Sequence, residues 1–183
     1  MSEDGGTISK QQIEAAEEFA ETATQLLGTE NGFHPPTLVA ATARMAGTFL
    51  FRSFGFQLEG ASPGQPLLSE AANEHGPRLV QIAWGVLSQL GISLDEDGAS
   101  ESSDPDDQPA RDFLATQKEL EPAFLDIKDR HGLSQSQAAD AAAIASAILI
   151  HQNLNSLDPN VGFGIAVYGF IEGTKTVPDP VTL

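Results

Sequence analysis

This sequence of 183 residues contains no cysteine. Disulfide scaffolds, thiolate nucleophiles and zinc sites built on sulfur are therefore excluded. Long apolar runs are also missing, because the longest one, residues 141–150, is about half the length that a bilayer-spanning helix needs. We accordingly expect no contact with a membrane.

Basic residues are scarce, with nine lysines and arginines against 26 acidic residues and a formal net charge of −17. Residues 1–30 hold seven acids and one base, and residues 95–108 hold seven acids and no base, so most of the excess lies in two short regions. Because this charge repels phosphate backbones, we expect no binding to nucleic acid. Two interpretations remain open: a charge that maintains solubility, or an acidic adaptor or decoy for a basic protein partner.

Recognised catalytic and cofactor motifs are absent. The sequence has no nucleophile elbow, phosphate-binding glycine loop or dinucleotide fingerprint. We predict no cofactor and name no catalytic residue, although an enzymatic role stays open. The first residues, MSEDGG, lack the basic-then-apolar pattern of a secretory signal peptide, so we expect a cytoplasmic protein.

The spacing of apolar residues predicts an all-α fold, a single-domain bundle of six helices. We expect a flexible N-terminus over residues 1–8, one helical domain over 9–175 with an acidic mobile loop over 95–108, and a tail over 176–183. The predicted helices cover residues 9–27, 36–54, 67–90 with a break at Gly76-Pro77, 109–131 with a kink or division at Pro122, 137–154 and 159–173. The glycines and β-branched residues of 159–173 leave a strand as the alternative there.

Two of these helices, residues 36–54 and 137–154, are apolar on most sides and are predicted to be buried at the centre. At an offset of 99 residues, small and bulky apolar positions of 40–52 coincide with those of 139–151. This match suggests a hypothesis of internal duplication into two similar helical halves. The apolar excess and the glycines of the last helix predict a homodimer, with a role in binding or assembly.

A polar line crosses the second predicted helix, where Arg44, Thr48 and Arg52 follow one another at intervals of four residues. Since an unpaired buried charge is very costly, the arginines need water, a carboxylate or an anion. One interpretation is a pair of salt bridges to neighbouring helices. The other is a pocket for an anionic small molecule between the central helices, with His151 and Tyr168 as neighbours, because guanidinium groups suit carboxylates and phosphates.

A metal site is the third hypothesis. Glu70 and Glu74 share a helix face and His75 adjoins them, so His131 or His151, if brought in by folding, would complete a carboxylate–imidazole site. The usual helical metal motifs are absent, however. The alternative is a set of solvated residues at a helix end.

Residues 133–140 resemble the opening of a DNA-binding helix-turn-helix motif. That motif requires a turn and a second helix with polar and basic groups for the major groove. Residues 141–153 provide neither the turn nor any lysine or arginine. The resemblance therefore implies only a capped helix start.

Overall fold

The computed structural model describes residues 6–95 and 102–180, and these form helices joined by connections of different lengths. In chain order the helices are α1 (Lys10–Leu27), α2 (Pro35–Ser53), α3 (Glu70–His75), α4 (Pro77–Gln89), α5 (Phe113–Arg130), α6 (Gln135–Gln152) and α7 (Pro159–Thr174), with a 3-10 turn at Pro105–Asp107. The predicted all-α bundle is confirmed. The predicted break at Gly76 separates α3 from α4. None of the described helices is both long and apolar enough to cross a bilayer.

The helix starts follow local capping chemistry. Ser9 and Ser134 each form a capping box with the glutamine three residues later, which satisfies backbone N–H groups that the first turn leaves free. Asp158 accepts hydrogen bonds from the N–H groups of Asn160 and Val161 at 2.9 and 3.2 Å. These bonds cap the start of α7. Residues 159–173, for which a strand was the alternative, therefore form a helix.

Pro122 lies inside α5 without dividing it. The proline is on the exposed side of the helix, where the carbonyl group that it leaves without an internal partner can be solvated. The expected division of this helix at Pro122 is therefore wrong.

The core is built around α2 and α6, as predicted. All residues of α2 from Pro36 to Phe51 are buried, and so are all residues of α6 from 138 to 147. Helices α1 and α4 pack on α6, whereas α7 packs mainly on α2. The ring of Phe19 stacks on that of Phe124 with centroids 4.4 Å apart, which joins α1 to α5.

Helices α2 and α7 touch through their backbones. A Cβ atom added to Gly47 would lie 2.6 Å from the carbonyl oxygen of Phe170, and one added to Gly169 would lie 2.7 Å from the Cβ of Ala43. Gly169 and Gly173 of the last helix thus pack against α2 of the same chain. These two glycines therefore give no support to the homodimer, which stays a prediction.

The predicted acidic loop and the predicted tail both form hydrogen bonds where the structure describes them. Residues 102–108 contain the 3-10 turn, which the Asp104 side chain caps. In the predicted tail, Val177 is buried and exchanges main-chain hydrogen bonds with Gly64 and Gln65 at 2.8 and 2.9 Å. Residues 1–5, 96–101 and 181–183, which complete the predicted N-terminus, loop and tail, lie outside the described residues.

The helix order bears on the duplication hypothesis. The α1–α2 and α5–α6 pairs each consist of a helix at the edge followed by a buried one, with similar lengths. The elements that follow differ, because α3 and α4 are two helices and α7 is one. Duplication therefore stays a prediction, and the similarity on which it rests is that between the α1–α2 pair and the α5–α6 pair.

Candidate functional site

Arg44 connects α2 to two other parts of the fold. Its Nε donates to Glu172 Oε2 of α7 at 2.6 Å. Its Nη1 donates to the carbonyl oxygen of Arg111 at 2.6 Å and to Thr116 Oγ1 at 3.4 Å. The salt-bridge interpretation of the polar line therefore holds for Arg44, although its Nη2 group makes no hydrogen bond within the described part of the chain.

Arg52 forms a closed ionic network with α5. Its Nε and Nη2 donate to the two carboxylate oxygens of Glu121 at 2.6 and 3.1 Å, and the Glu121 side chain is 2% exposed. Gln117 Nε2 also donates to Glu121 Oε2, at 2.5 Å. Both Arg52 and Gln117 donate to the carbonyl oxygen of Asp179 at 2.8 Å. The chain itself thus supplies the partners of this arginine.

Thr48 separates the two arginines and binds neither. Its side chain is 1% exposed, and its hydroxyl oxygen has no hydrogen-bond partner among the described residues. It lies beside α7, since a Cβ atom on Gly173 would be 2.9 Å from the Thr48 backbone nitrogen. The polar line is therefore two separate ion pairs with a buried hydroxyl between them.

A cleft of about 470 Å³ lies between α2, α7 and the segment 102–109, and we call it the α2–α7 cleft. It brings together two of the predicted site residues, Arg44 and Tyr168. Its lining consists of Ala40, Arg44, Ser102, Asp107, Gln108, Pro109, Val161, Gly164, Ile165, Tyr168 and Gly169. Polar groups and small or aliphatic groups thus contribute about equally to its wall.

The charges on the wall of the cleft are balanced. Arg44 supplies a guanidinium group and Asp107 a carboxylate, whose Oδ2 accepts from Ser102 Oγ at 2.5 Å. Glu172, bound to Arg44, compensates the guanidinium further. The cleft therefore does not have the net positive character that the anionic-ligand hypothesis expects.

The outer wall of the cleft is fastened to α2 by His34, which sequence analysis missed. His34 Nε2 lies 2.5 Å from the carbonyl oxygen of Asp106, and Nδ1 lies 2.8 Å from Thr37 Oγ1. Because a carbonyl only accepts, Nε2 carries a hydrogen and donates it to Asp106. Thr37 Oγ1 in turn accepts from the N–H of Ala110 at 3.0 Å. The sequence feature that could have pointed to His34 is its position directly before the proline pair that begins α2.

His151 lies away from both arginines. It is exposed at the C-terminal end of α6, in a groove that Glu17, Glu21, Thr24, Leu90, Ile148, His151 and Gln152 line, and we call it the α1–α4 groove. The expectation that His151 meets the arginines is wrong, because α6 exposes this end between α1 and α4 while Arg52 points to α5.

The predicted metal ligands do not gather further ligands. The His75 ring packs beside the ring of Phe54, with centroids 5.9 Å apart, and His131 Nε2 pairs with Glu18 Oε1 at 2.7 Å. Within residues 6–95 and 102–180, no three histidine or acidic side chains form a group that could hold a metal ion. Glu70 and Glu74 thus lack the third ligand that the hypothesis requires.

No protein-family model matches this chain, and comparisons with curated proteins and with solved structures likewise give no match. The proposals below therefore depend on the geometry of the described residues.

Proposed function

We propose that this protein binds a small polar molecule in the α2–α7 cleft. The observation that supports the proposal is the Arg44 side chain, which starts from the most buried helix and reaches the wall of the cleft with its Nη2 group unbonded. The volume of the cleft lies within the range of ligand sites, about 300–1,000 Å³. No catalytic pair accompanies these groups, so the proposal is binding.

The chemistry of the wall favours a ligand with two unlike polar groups. The Nη2 hydrogens of Arg44 suit a carboxylate or carbonyl oxygen, and the Asp107 carboxylate suits an ammonium or hydroxyl group. Since Asp107 and Glu172 are both negative, a polyanion such as a nucleotide is repelled. Val161 and Ile165 offer contact to a short aliphatic part. An aliphatic amino acid satisfies all of these conditions, and a hydroxy acid of the same size satisfies all of them except the charge balance.

Filling the cleft tests the site without removing a polar group. Gly164 lies in α7 on the wall of the cleft, and leucine is a good helix former, so Gly164→Leu keeps the fold and occupies the space. Gly85→Leu is the matched control, because Gly85 is a helical glycine facing open space. Thermal unfolding is measured with valine, leucine, lactate or 2-hydroxyisovalerate as the added probe.

A probe that binds only the folded state raises the unfolding midpoint. We expect this rise for the unchanged protein and for Gly85→Leu, and its loss for Gly164→Leu. A rise that persists in Gly164→Leu would contradict the site. A lack of response to all the probes in the unchanged protein would contradict the ligand class.

Asp107→Asn separates the two kinds of ligand. The substitution keeps the shape of the side chain and removes its charge, so an ammonium group loses its counterion. We expect the affinity for amino acids to fall by about tenfold, as for a charge-assisted bond of about 1.4 kcal/mol, and that for hydroxy acids to change much less. Equal losses in titration calorimetry would contradict a role for Asp107 in binding the amino group.

A further inference from the structure

The α1–α4 groove runs along three helices that point in the same direction. Near their N-terminal ends, Arg78 of α4 donates from Nε and Nη2 to the two oxygens of Asp140 of α6 at 3.0 and 2.8 Å. Gln12 of α1 donates to Asp140 Oδ2 at 3.4 Å. Near their C-terminal ends, Thr24, Leu90 and His151 line the groove together. Helices α1 and α4 are thus parallel walls, and α6 is the floor.

The groove has the length of a short helix. From Glu17 to Thr24 the α1 wall spans about 10 Å at 1.5 Å per residue, or about two turns. The Arg78–Asp140–Gln12 bridge joins the same three helices nearer to their N-terminal ends, and His151 lies at the C-terminal end of the groove.

One wall and the floor are apolar. Leu90 at the end of α4 is 41% exposed, and Ile82 and Val86 precede it at intervals of four residues on the same side of the helix. Both are partly buried against the core, and Ile148 of α6 forms part of the floor. Ile82, Val86 and Leu90 therefore form an apolar strip on this side of α4, and Leu90 with Ile148 lines the groove.

The other wall carries uncompensated negative charge. Glu17 and Glu21 lie one helical turn apart on α1 and line the groove, and neither forms an ion pair within the described part of the chain. Glu18, which lies on a different side of α1, is by contrast paired with Arg130 and His131. The scarcity of basic residues in the whole chain leaves these two carboxylates available to an external cation.

We infer that the α1–α4 groove binds an amphipathic helix of a partner protein, with lysine or arginine on one side and aliphatic residues on the other. Helix-in-groove recognition uses apolar anchors at intervals of three and four residues, which the strip ending at Leu90 accommodates, and opposite charges fix the orientation. A symmetric contact with a second copy of this chain is disfavoured, because it would bring the same acidic α1 against Glu17 and Glu21.

The probe for this inference is a synthetic helical peptide of about 14 residues, with leucine at i, i+4, i+7 and i+11 and lysine elsewhere. A peptide of the same composition, ordered so that no apolar face forms, is the control for non-specific attraction. Binding to the full chain is measured by fluorescence anisotropy at low and high salt. We expect the ordered peptide to bind at least about tenfold more tightly, and salt to weaken this binding.

Matched variants locate the binding. Glu17→Lys with Glu21→Lys reverses the charge of the groove wall, and Glu30→Lys with Glu59→Lys makes the same change in net charge at exposed sites elsewhere. Leu90→Ala removes an exposed leucine from the groove, and Leu68→Ala removes one that is 80% exposed outside it. We expect each groove variant to weaken binding by about tenfold or more and each control by less than about twofold.

Three outcomes would overturn the inference. The first is equal binding of the two peptides, and the second is equal weakening by the groove and control variants, since both would indicate attraction by net charge alone. The third is a dimer in analytical ultracentrifugation that Leu90→Ala dissociates, because the groove would then hold a second copy.

Discussion

The Cα atom of Gly47 lies so close to Gly173 that a Cβ atom added to Gly173 would stand 2.9 Å from it. Real Cβ atoms essentially never approach another atom below 3.0 Å, so one helix would have to move. This contact holds α7 against α2 along the wall of the α2–α7 cleft, and it fixes where Arg44 and Tyr168 are placed relative to each other.

Gly173→Ala should therefore destabilise the fold, even though alanine favours a helix. We expect the free energy of unfolding to fall by about 1–3 kcal/mol, as for overpacking of a close contact. Gly85→Ala, at a helical position with open space, should raise it by up to about 1 kcal/mol. Urea denaturation measures both, and a gain in stability for Gly173→Ala would contradict the close approach of the two helices.

Arg52→Met should be costly because it leaves the buried Glu121 carboxylate without its cation. We expect a loss of about 2–4 kcal/mol, somewhat below that of a fully buried pair because the Arg52 side chain is 21% exposed. Replacing Glu121 as well, by leucine, should recover at least half of the loss. The exposed pair of Lys10 and Glu14 is the control, and Lys10→Met should cost less than about 0.5 kcal/mol. If the losses in the free energy of unfolding from the substitutions at Arg52 and Glu121 were simply additive, the two side chains would not be coupled and the prediction would be contradicted.

Thr48→Val should leave the stability unchanged or raise it by about 0.5–1 kcal/mol, because the buried hydroxyl forms no hydrogen bond that valine would lose. Thr174→Val is the matched control, since Thr174 Oγ1 donates to the carbonyl oxygen of Phe170 at 2.6 Å and is equally buried. We expect that control to lose about 1 kcal/mol. A comparable loss in Thr48→Val, measured by thermal unfolding, would indicate that Thr48 has a partner.

The contribution of Glu18 to stability should disappear in acid. Hydrogen bonds from Arg130 and then from His131 lower the pKa of the Glu18 carboxyl below its ordinary value of 4.5. Because the folded state has the lower pKa, the contribution is fully present above the unfolded pKa and is lost as the pH falls through the folded pKa.

Unfolding midpoints of the unchanged protein and of Glu18→Gln should therefore differ most at neutral pH and converge as the pH falls below 4.5 and through the lowered pKa of Glu18. Added salt should reduce the difference, since the carboxylate is partly exposed. Glu17→Gln is the control, because Glu17 has no ion pair in the described part of the chain. A difference between Glu18→Gln and the unchanged protein that grows in acid would contradict the lowered pKa.

Helix positions could be predicted from sequence because their signals are local. The capping boxes at Ser9 and Ser134 and the Asp158-Pro159 start each act within four residues, so no tertiary information is needed to find them. The burial of the two central helices was also predictable, because a helix with apolar residues on most of its sides has no polar face to expose to water.

The partners of the polar residues could not be predicted in the same way. Any of the 26 acidic residues could have been the partner of Arg44. Its actual partner, Glu172, is 128 residues away in the sequence, so no local pattern indicates the pair. The surroundings of His151 depend on which neighbouring helices the C-terminal end of α6 faces. Because alanines lie on all sides of α6, its sequence does not indicate that orientation. Arg44 and Tyr168 line one cleft, whereas His151 lines a different groove, which neither arginine lines.

The interleaving of the first and last helices has a consequence for synthesis of the chain on the ribosome. The helices that cover α1 and α2 are α6 and α7, and the bonds that join them, such as that from Gln12 to Asp140, link residues 128 positions apart. Because translation adds about 5–20 residues per second, the apolar surface of α2 stays exposed for several seconds before α6 and α7 are synthesised. A nascent chain arrested before α6 should therefore be a substrate for chaperones, and stability should be acquired only when the final helix emerges.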